Sequence, residues 1–245
     1  MIATTLEAQS NLEEHKVFLE ETAYLNFSHP GLQKVVAELR GKTDTQTAVN
    51  LHNFVRDEVR FGWRPAFYAM SASEVLRTGV GYCNTKSTLF VALLRGAGIP
   101  ARQRFVSINA DILKPFIKLR QPYVDHSYTE VLLDGRWLRV DSYIPDPDLF
   151  RLASMRLTEE RSVMGYGIHR LGVNEWNGRT DAFAQFVESG MAKITNQDYG
   201  VFRDTAAFYA ETERGEKLSG SRRFTLPVGI RFADAAVRRF VSKAG

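Results

Sequence analysis

The feature that most constrains the fold is an apolar run that follows two closely spaced glycines and the only cysteine of the chain. Gly79 and Gly81 permit a tight turn, Cys83 follows, and residues 89–94 are apolar without exception. Because the run leaves almost no polar face, we predict a central helix buried on all sides. It is followed by residues that typically end helices: Gly96, Gly98 and Pro100.

Cys83 is predicted to lie at the N-terminus of this helix. Unpaired N–H groups and the positive end of the helix dipole favour a thiolate there over a thiol. The sulfur is therefore a candidate nucleophile, and the backbone N–H of the same residue is a candidate oxyanion donor. The alternative is a small buried hydrophobic residue with no chemical role.

The chain has 245 residues, of which 44% are hydrophobic and 24% charged, which is ordinary for a globular protein. We expect one domain over residues 1–245 with a core at about 45–145. A helical N-terminal part would occupy residues 1–44, and a C-terminal extension residues 146–245, of which 203–218 and 232–243 are predicted to be helical. Residues 224–232 of this extension are predicted to form a strand. The role of the extension as a whole stays open: it completes the fold, walls a cleft or blocks it.

Charge and composition limit the classes of binding partner that the sequence favours. Lys and Arg number 32 and Asp and Glu 28, a net charge of +4 without a basic block that would favour nucleic acid. No apolar run is long enough to span a membrane, and residues 1–21 lack the apolar core of a signal peptide. With one cysteine, the expectation is a cytoplasmic protein with no nucleic-acid or membrane partner and an oligomeric state that stays open.

The first hundred residues are predicted to contain several helices and an aromatic-rich loop at residues 60–70. Residues 5–22 form one helix, and a second begins near Pro30 and ends at Gly41. A third is capped by one of residues 43–45. Ser71-Ala72-Ser73-Glu74 matches a capping box that opens a short helix before the central one.

After Pro100 the pattern changes to strands. Residues 101–108 form the first, and residues 109–125 interrupt the sheet as an insertion, either a lid beside the site or an ordinary loop. Asp134-Gly135 joins residues 126–133 and 136–141 in a hairpin.

The two-residue loop fixes the hairpin register. The predicted cross-strand pairs are Leu133 with Arg136, Leu132 with Trp137, Glu130 with Arg139, Tyr128 with Asp141 and His126 with Tyr143. His126 and Asp141 are then diagonal neighbours on one face, about 7–8 Å apart at the backbone. If that face packs against the start of the central helix, Cys83, His126 and Asp141 make a nucleophile, a base and an orienting carboxylate.

Each of these residues also has a simpler interpretation. His126 could be structural, Asp141 could cap the next turn, and Glu130 is interpreted as a cross-strand partner of Arg139. Cysteine, histidine and aspartate can also bind zinc, but the chain has no Cys-x-x-Cys spacing, and we predict no metal and no cofactor.

Several blocks of sequence together resemble the transglutaminase-like superfamily core. They are Gly-x-Gly-Tyr-Cys at residues 79–83, and residues 88–102, 125–131 and 134–141. The resemblance implies an α+β fold with a papain-like arrangement, in which a central helix packs on an antiparallel sheet. It also implies that Cys83 is the nucleophile, His126 the general base and acid, and Asp141 the orienting residue.

The resemblance leaves the supporting residues less defined. Tyr128 stands where the family often has Trp, and Ser142 where Pro often follows the aspartate. No Gln lies just upstream of Cys83, so Trp63, Tyr68 and Tyr82 are candidates for a second oxyanion donor, or only aromatic packing. No acidic loop suggests the calcium sites of animal transglutaminases.

The resemblance thus implies a cysteine-dependent acyl-transfer enzyme that acts on amide bonds of a peptide or protein through a thioester, with hydrolysis favoured over transfer. The alternatives are a non-catalytic peptide-binding or scaffolding module with the same fold, and a purely structural protein.

Overall fold

The computed structural model describes residues 15–66, 69–185, 195–212 and 222–243. Its helices are α1 (Pro30–Leu39), α2 (Asp44–Glu58), α3 (Ala72–Thr78), α4 (Cys83–Gly96), α5 (Pro147–Glu159), α6 (Thr205–Glu211) and α7 (Arg222–Ser242). Its strands are β1 (Arg60–Phe61), β2 (Val80–Gly81), β3 (Ala101–Asn109), β4 (Tyr123–Leu133), β5 (Arg136–Val140), β6 (Met164–Gly165), β7 (Ile168–His169) and β8 (Thr195–Phe202).

The predicted helix starts in the N-terminal half are confirmed by their caps. The His29 ring accepts a hydrogen bond from Gly31 N before α1, and Thr43 Oγ1 accepts one from Gln46 N at α2. The Ser71–Glu74 capping box opens α3. Of the helix predicted over residues 5–22, residues 1–14 lie outside the described residues, and the rest contains one 3₁₀ turn, Val17–Leu19.

Helix α4 is the centre of the fold. Every residue from Cys83 to Arg95 is buried, as the apolar run predicts. Helices α1, α2 and α3 pack around it, and its remaining side lies on β3 and β4. The predicted fold class, α+β with a central helix on an antiparallel sheet, is confirmed.

The main sheet has the strand order β5-β4-β3-β8 and is antiparallel throughout. Asp134 and Gly135 both have positive φ, which is the geometry of a two-residue hairpin turn. The predicted register holds from the turn to the pair Thr129–Val140.

Beyond Val140 the predicted register is wrong, because the pairs Tyr128–Asp141 and His126–Tyr143 do not form. The chain leaves the strand there, and the backbone N–H of Asp141 donates to Ala182 O at 3.0 Å. Ala182 N also donates to Arg139 O at 3.0 Å, so a segment of the C-terminal extension pairs with the end of β5.

Glu130 lies opposite Arg139, as predicted, but forms its ion pairs elsewhere. Its carboxylate pairs with Arg102 and Arg104 of β3, while Arg139 pairs with Asp181.

In the C-terminal extension, the strand predicted over residues 224–232 is wrong, since α7 covers this range. Ile230, Ala233 and Val237 recur at helical spacing and are buried against the core, and this packing outweighs the local strand preference. The helix predicted over 232–243 is confirmed as part of α7. Of 203–218, residues 205–211 are helical and 213–218 lie outside the described residues. Within the described part of the chain, no helix is long and apolar enough to cross a membrane.

Candidate active site

The position of Cys83 is fixed by the turn that precedes α4. Short strands β1 and β2 pair in parallel through Phe61 and Gly81, and Tyr82 N donates to Thr85 Oγ1 at 3.1 Å. A Cβ at Gly81 would lie 2.8 Å from Lys86 Cγ, so only glycine permits this close approach. Cys83 therefore begins the helix with its backbone N–H in the first turn, where it has no partner within the helix.

His126 interacts with both Cys83 and Asp141. Its ring is 1% exposed, and Nε2 is 3.1 Å from Asp141 Oδ2. Burial alone lowers the pKa of His126, but hydrogen bonds to Asp141 and Cys83 outweigh it and raise the pKa to about 9. The structure thus brings the three predicted residues together, with the imidazole in its charged form at neutral pH.

Asp141 is fully buried and is held by backbone donors. Its Oδ1 accepts hydrogen bonds from the backbone N–H groups of Ala184 and Gln185. Its own N–H donates to Ala182 O. We call residues 182–185 the clamp segment. Sequence reasoning missed it, because a backbone N–H carries no residue-type signal.

A second pair, His52 and Ser142, connects α2 to the residue after Asp141. His52 Nε2 lies 2.8 Å from Ser142 Oγ, and its Nδ1 lies 3.0 Å from Asn53 Oδ1. Burial lowers the pKa of His52 to about 3, so the ring is neutral. No role was predicted for His52, although its place in the apolar stripe of α2 marks it as buried.

Further hydrogen bonds join α4 to the sheet behind the candidate triad. The Tyr143 hydroxyl contacts Ser87 Oγ at 2.6 Å and Thr129 Oγ1 at 2.8 Å. Tyr143 was expected in the hairpin ladder and instead fixes the distance between the helix and β4.

Of the residues proposed as oxyanion donors or supports, Tyr82 and Trp63 line the cavity that contains Cys83. Burial raises the pKa of Tyr82 well above its ordinary value, so the hydroxyl keeps its proton. Tyr128 lies in another apolar cluster and contacts the ring of Phe183, 5.7 Å away between centroids. Tyr68 lies outside the described residues.

Two other polar residues beside Cys83 were not predicted. Asn84 is fully buried, and its Oδ1 lies 3.5 Å from Cys83 Sγ. Its Nδ2 donates to the hydroxyl of Tyr209 in α6 at 3.0 Å. The extension therefore supplies part of the environment of the sulfur.

Cys83 and His126 open into a cavity of about 780 Å³. One wall comes from the insertion between β3 and β4, through residues 112–121, and another from α7, through residues 229–233. These two parts of the chain thus wall the cleft.

The same three residues do not form a metal site. Among the described residues, no group of three or more His, Cys, Asp or Glu side chains is arranged to hold a metal ion.

A cysteine at the start of a buried helix, with histidine and aspartate supplied by an antiparallel sheet and its end, defines a papain-like architecture. The model of the transglutaminase-like superfamily matches residues 33–142. This segment, which contains Cys83, His126 and Asp141, therefore forms a transglutaminase-like core.

Among solved structures, the chain is similar to one described as "a Putative Cysteine Protease from Cytophaga hutchinsonii", with 21% identity and a TM-score of 0.40. The match covers 50% of this chain and 39% of that one. No curated protein matches the sequence.

Proposed function

We propose that the protein is a cysteine-dependent enzyme that hydrolyses amide bonds through Cys83, His126 and Asp141. The observation that carries the proposal is that the His126 ring interacts with both partners, with Asp141 Oδ2 through Nε2 at 3.1 Å and with the Cys83 thiol. This is the arrangement in which an imidazole can both activate a nucleophile and protonate a leaving group.

In the first step, the Cys83 sulfur attacks the amide carbonyl carbon and a carbon–sulfur bond forms. The carbon–nitrogen bond then breaks as protonated His126 gives its proton to the leaving amine. In the second step, neutral His126 takes a proton from water, the hydroxide attacks the thioester, and the sulfur leaves. Asp141 holds the ring in position and stabilises its charge throughout.

The negative charge that develops on the carbonyl oxygen must be stabilised by hydrogen-bond donors. The backbone N–H of Cys83 lies at the positive end of α4 and is the first of them. The Tyr82 hydroxyl, protonated and adjacent in sequence, is the candidate for the second. Trp63 is a further candidate from the cavity wall.

Transfer to an amine is the second candidate reaction. Asp125 lines the cavity beside His126, and a carboxylate there is suited to hold a cationic amine. We favour hydrolysis because water needs no binding site of its own. Adding an amine during turnover distinguishes hydrolysis from transfer, since transfer yields a new amide in place of the free acid.

The test combines the reactivity of the Cys83 thiol with the effect of substituting Cys83. Cys83 should react with iodoacetamide at neutral pH faster than a free thiol does, and Cys83→Ala should abolish amide hydrolysis. Equal reactivity, with activity intact in Cys83→Ala, contradicts the proposal. Peptide binding that survives Cys83→Ala, without turnover of any amide by the wild type, indicates a binding module.

A further inference from the structure

The cavity beside Cys83 is walled mainly by apolar side chains from distant parts of the chain. They include Phe61, Trp63, Ile112, Phe116, Ile117 and Ile230. Phe61 and Ile112 are each 1% exposed, which makes these walls extensions of buried clusters. Burying an apolar group against them is favourable by about 25 cal/mol for each Å² removed from water.

The polar lining of the cavity comes from two sets of residues: Tyr82, Asp125 and Gln185 accompany Cys83 and His126, and Lys118, Arg120 and Gln121 belong to the insertion. Tyr82 lies within electrostatic reach of Cys83, Tyr209 and Asp125. Gln185 also lines the cavity, but its Nε2 donates to Gly167 O at 2.6 Å. A polar substrate group that entered the apolar part would lose water without gaining partners, at a cost of about 1–3 kcal/mol.

The volume of about 780 Å³ is in the range of sites that hold drug-sized ligands. The reacting amide needs only the polar end near Cys83, which leaves the apolar remainder for a group attached to it.

From this shape we infer the substrate class: the enzyme takes amides whose acyl part is a medium-length alkyl chain or a bulky aromatic group, and this group fills the cavity. The inference rests on the proposed amide hydrolysis. The acyl part is the side of the substrate that stays bound as the thioester, while the amine leaves and water enters. A cleft walled mainly by apolar side chains suits the part that stays bound.

The experiment compares unbranched acyl p-nitroanilides from acetyl to octanoyl. We expect kcat/KM to rise by about fourfold for each methylene until the cavity is filled. Lengthening an alkyl group on the amine side of acetyl amides should leave kcat/KM almost unchanged. The opposite pattern overturns the inference.

Substitutions in the cavity wall test whether the dependence on acyl chain length arises there. Phe116 lines the cavity and is only half-buried, so Phe116→Ala should fold and lower the rate with octanoyl amides about tenfold more than the rate with the acetyl substrate. Met155→Ala is the matched control, since Met155 lies on α5, is 54% exposed and does not line the cavity. Equal losses with acetyl and octanoyl substrates in Phe116→Ala also overturn the inference.

The inference and the proposed function fail separately. Turnover of the acetyl substrate that requires Cys83, with no dependence on chain length, overturns the inference alone. If no amide is turned over, the proposed function fails, and calorimetry with the Cys83→Ala variant decides the inference. Octanamide should then bind at least tenfold more tightly than acetamide, and equal affinities overturn it.

Discussion

His126 keeps its charge in a place from which water is almost excluded. Its ring is 1% exposed, and burial by itself disfavours the imidazolium. The hydrogen bonds to Asp141 and Cys83 reverse that preference, and the pKa rises to about 9. The proton that the proposed mechanism delivers to the leaving amine is therefore present on His126 throughout the neutral range.

The pH profile of the reaction should report this raised pKa. Because acylation needs protonated His126, kcat/KM should fall as the pH rises through about 9. Asp141→Asn removes the carboxylate whose hydrogen bond does most to raise the pKa of His126, so the alkaline limb should move to lower pH and kcat should fall about a hundredfold or more. The same alkaline limb in both proteins contradicts the assignment of His126 as the acid.

A second prediction concerns Lys86, which is fully buried in α4 and donates from Nζ to Val59 O. Burial lowers its pKa from 10.5 to about 7. Between these values the unfolded chain binds a proton that the folded protein does not, so this residue makes stability rise with pH. Lys86→Met should remove that rise, which is on the order of a few kcal/mol.

The measurement for Lys86 is the difference between wild-type and variant denaturation midpoints from pH 6 to 10. The difference is needed because His126 acts in the opposite sense. Its raised pKa stabilises the fold below pH 6.5, and this contribution is lost as the pH rises through about 9. Parallel stability curves for wild type and Lys86→Met contradict the prediction.

At the scale of elements, the candidate site depends on the clamp segment, residues 182–185. Asp141 follows the end of β5, beyond its last residue pair with β4. The N–H groups of Ala184 and Gln185 bind its Oδ1 and leave Oδ2 for His126. A stretch beyond the family core thus holds the carboxylate that contacts His126.

Removing one clamp donor tests this dependence. Ala184→Pro deletes the N–H that binds Asp141 Oδ1, so kcat should fall at least tenfold while circular dichroism shows a folded protein. Ala184→Gly keeps the N–H and should stay within a few-fold of wild type. A similar loss in both variants, or none in either, contradicts the role of the clamp.

The elements also show what could be predicted from sequence. The burial of α4 follows from residues 89–94, and the hairpin follows from Asp134-Gly135, because both signals are local. The clamp segment acts through backbone groups that every residue type possesses. The buried bond between His52 and Ser142 joins positions 90 residues apart, and no local pattern indicates such a contact.

At the scale of the whole molecule, the cleft is assembled from parts far apart in sequence. Helix α7 forms one wall, and Asp234 ties this helix to the part of the wall that Phe61 and Trp63 form. This carboxylate pairs with both terminal nitrogens of Arg60, at 2.9 Å each, and accepts from Trp63 N at 3.2 Å. The strand predicted over residues 224–232 is wrong because packing of α7 against parts of the chain distant in sequence favours a helix there.

Loss of the Asp234 contacts should loosen the wall. Asp234→Ala leaves the Trp63 N–H and the Arg60 guanidinium without this partner, which should cost about 1–3 kcal/mol of stability. Hydrogen exchange should then rise in α7. Arg238→Ala removes only a 62% exposed partner of the same carboxylate and serves as the control. Unchanged exchange in Asp234→Ala contradicts the tether.

The most direct test of the whole account is intact-mass spectrometry of the protein mixed with an acyl p-nitroanilide and quenched in acid. We predict an acyl adduct on Cys83 that forms and decays at the rate of turnover, accumulates more slowly in Asp141→Asn and is absent in Cys83→Ala. Turnover with no adduct on Cys83, or turnover that persists in Cys83→Ala, would contradict the account.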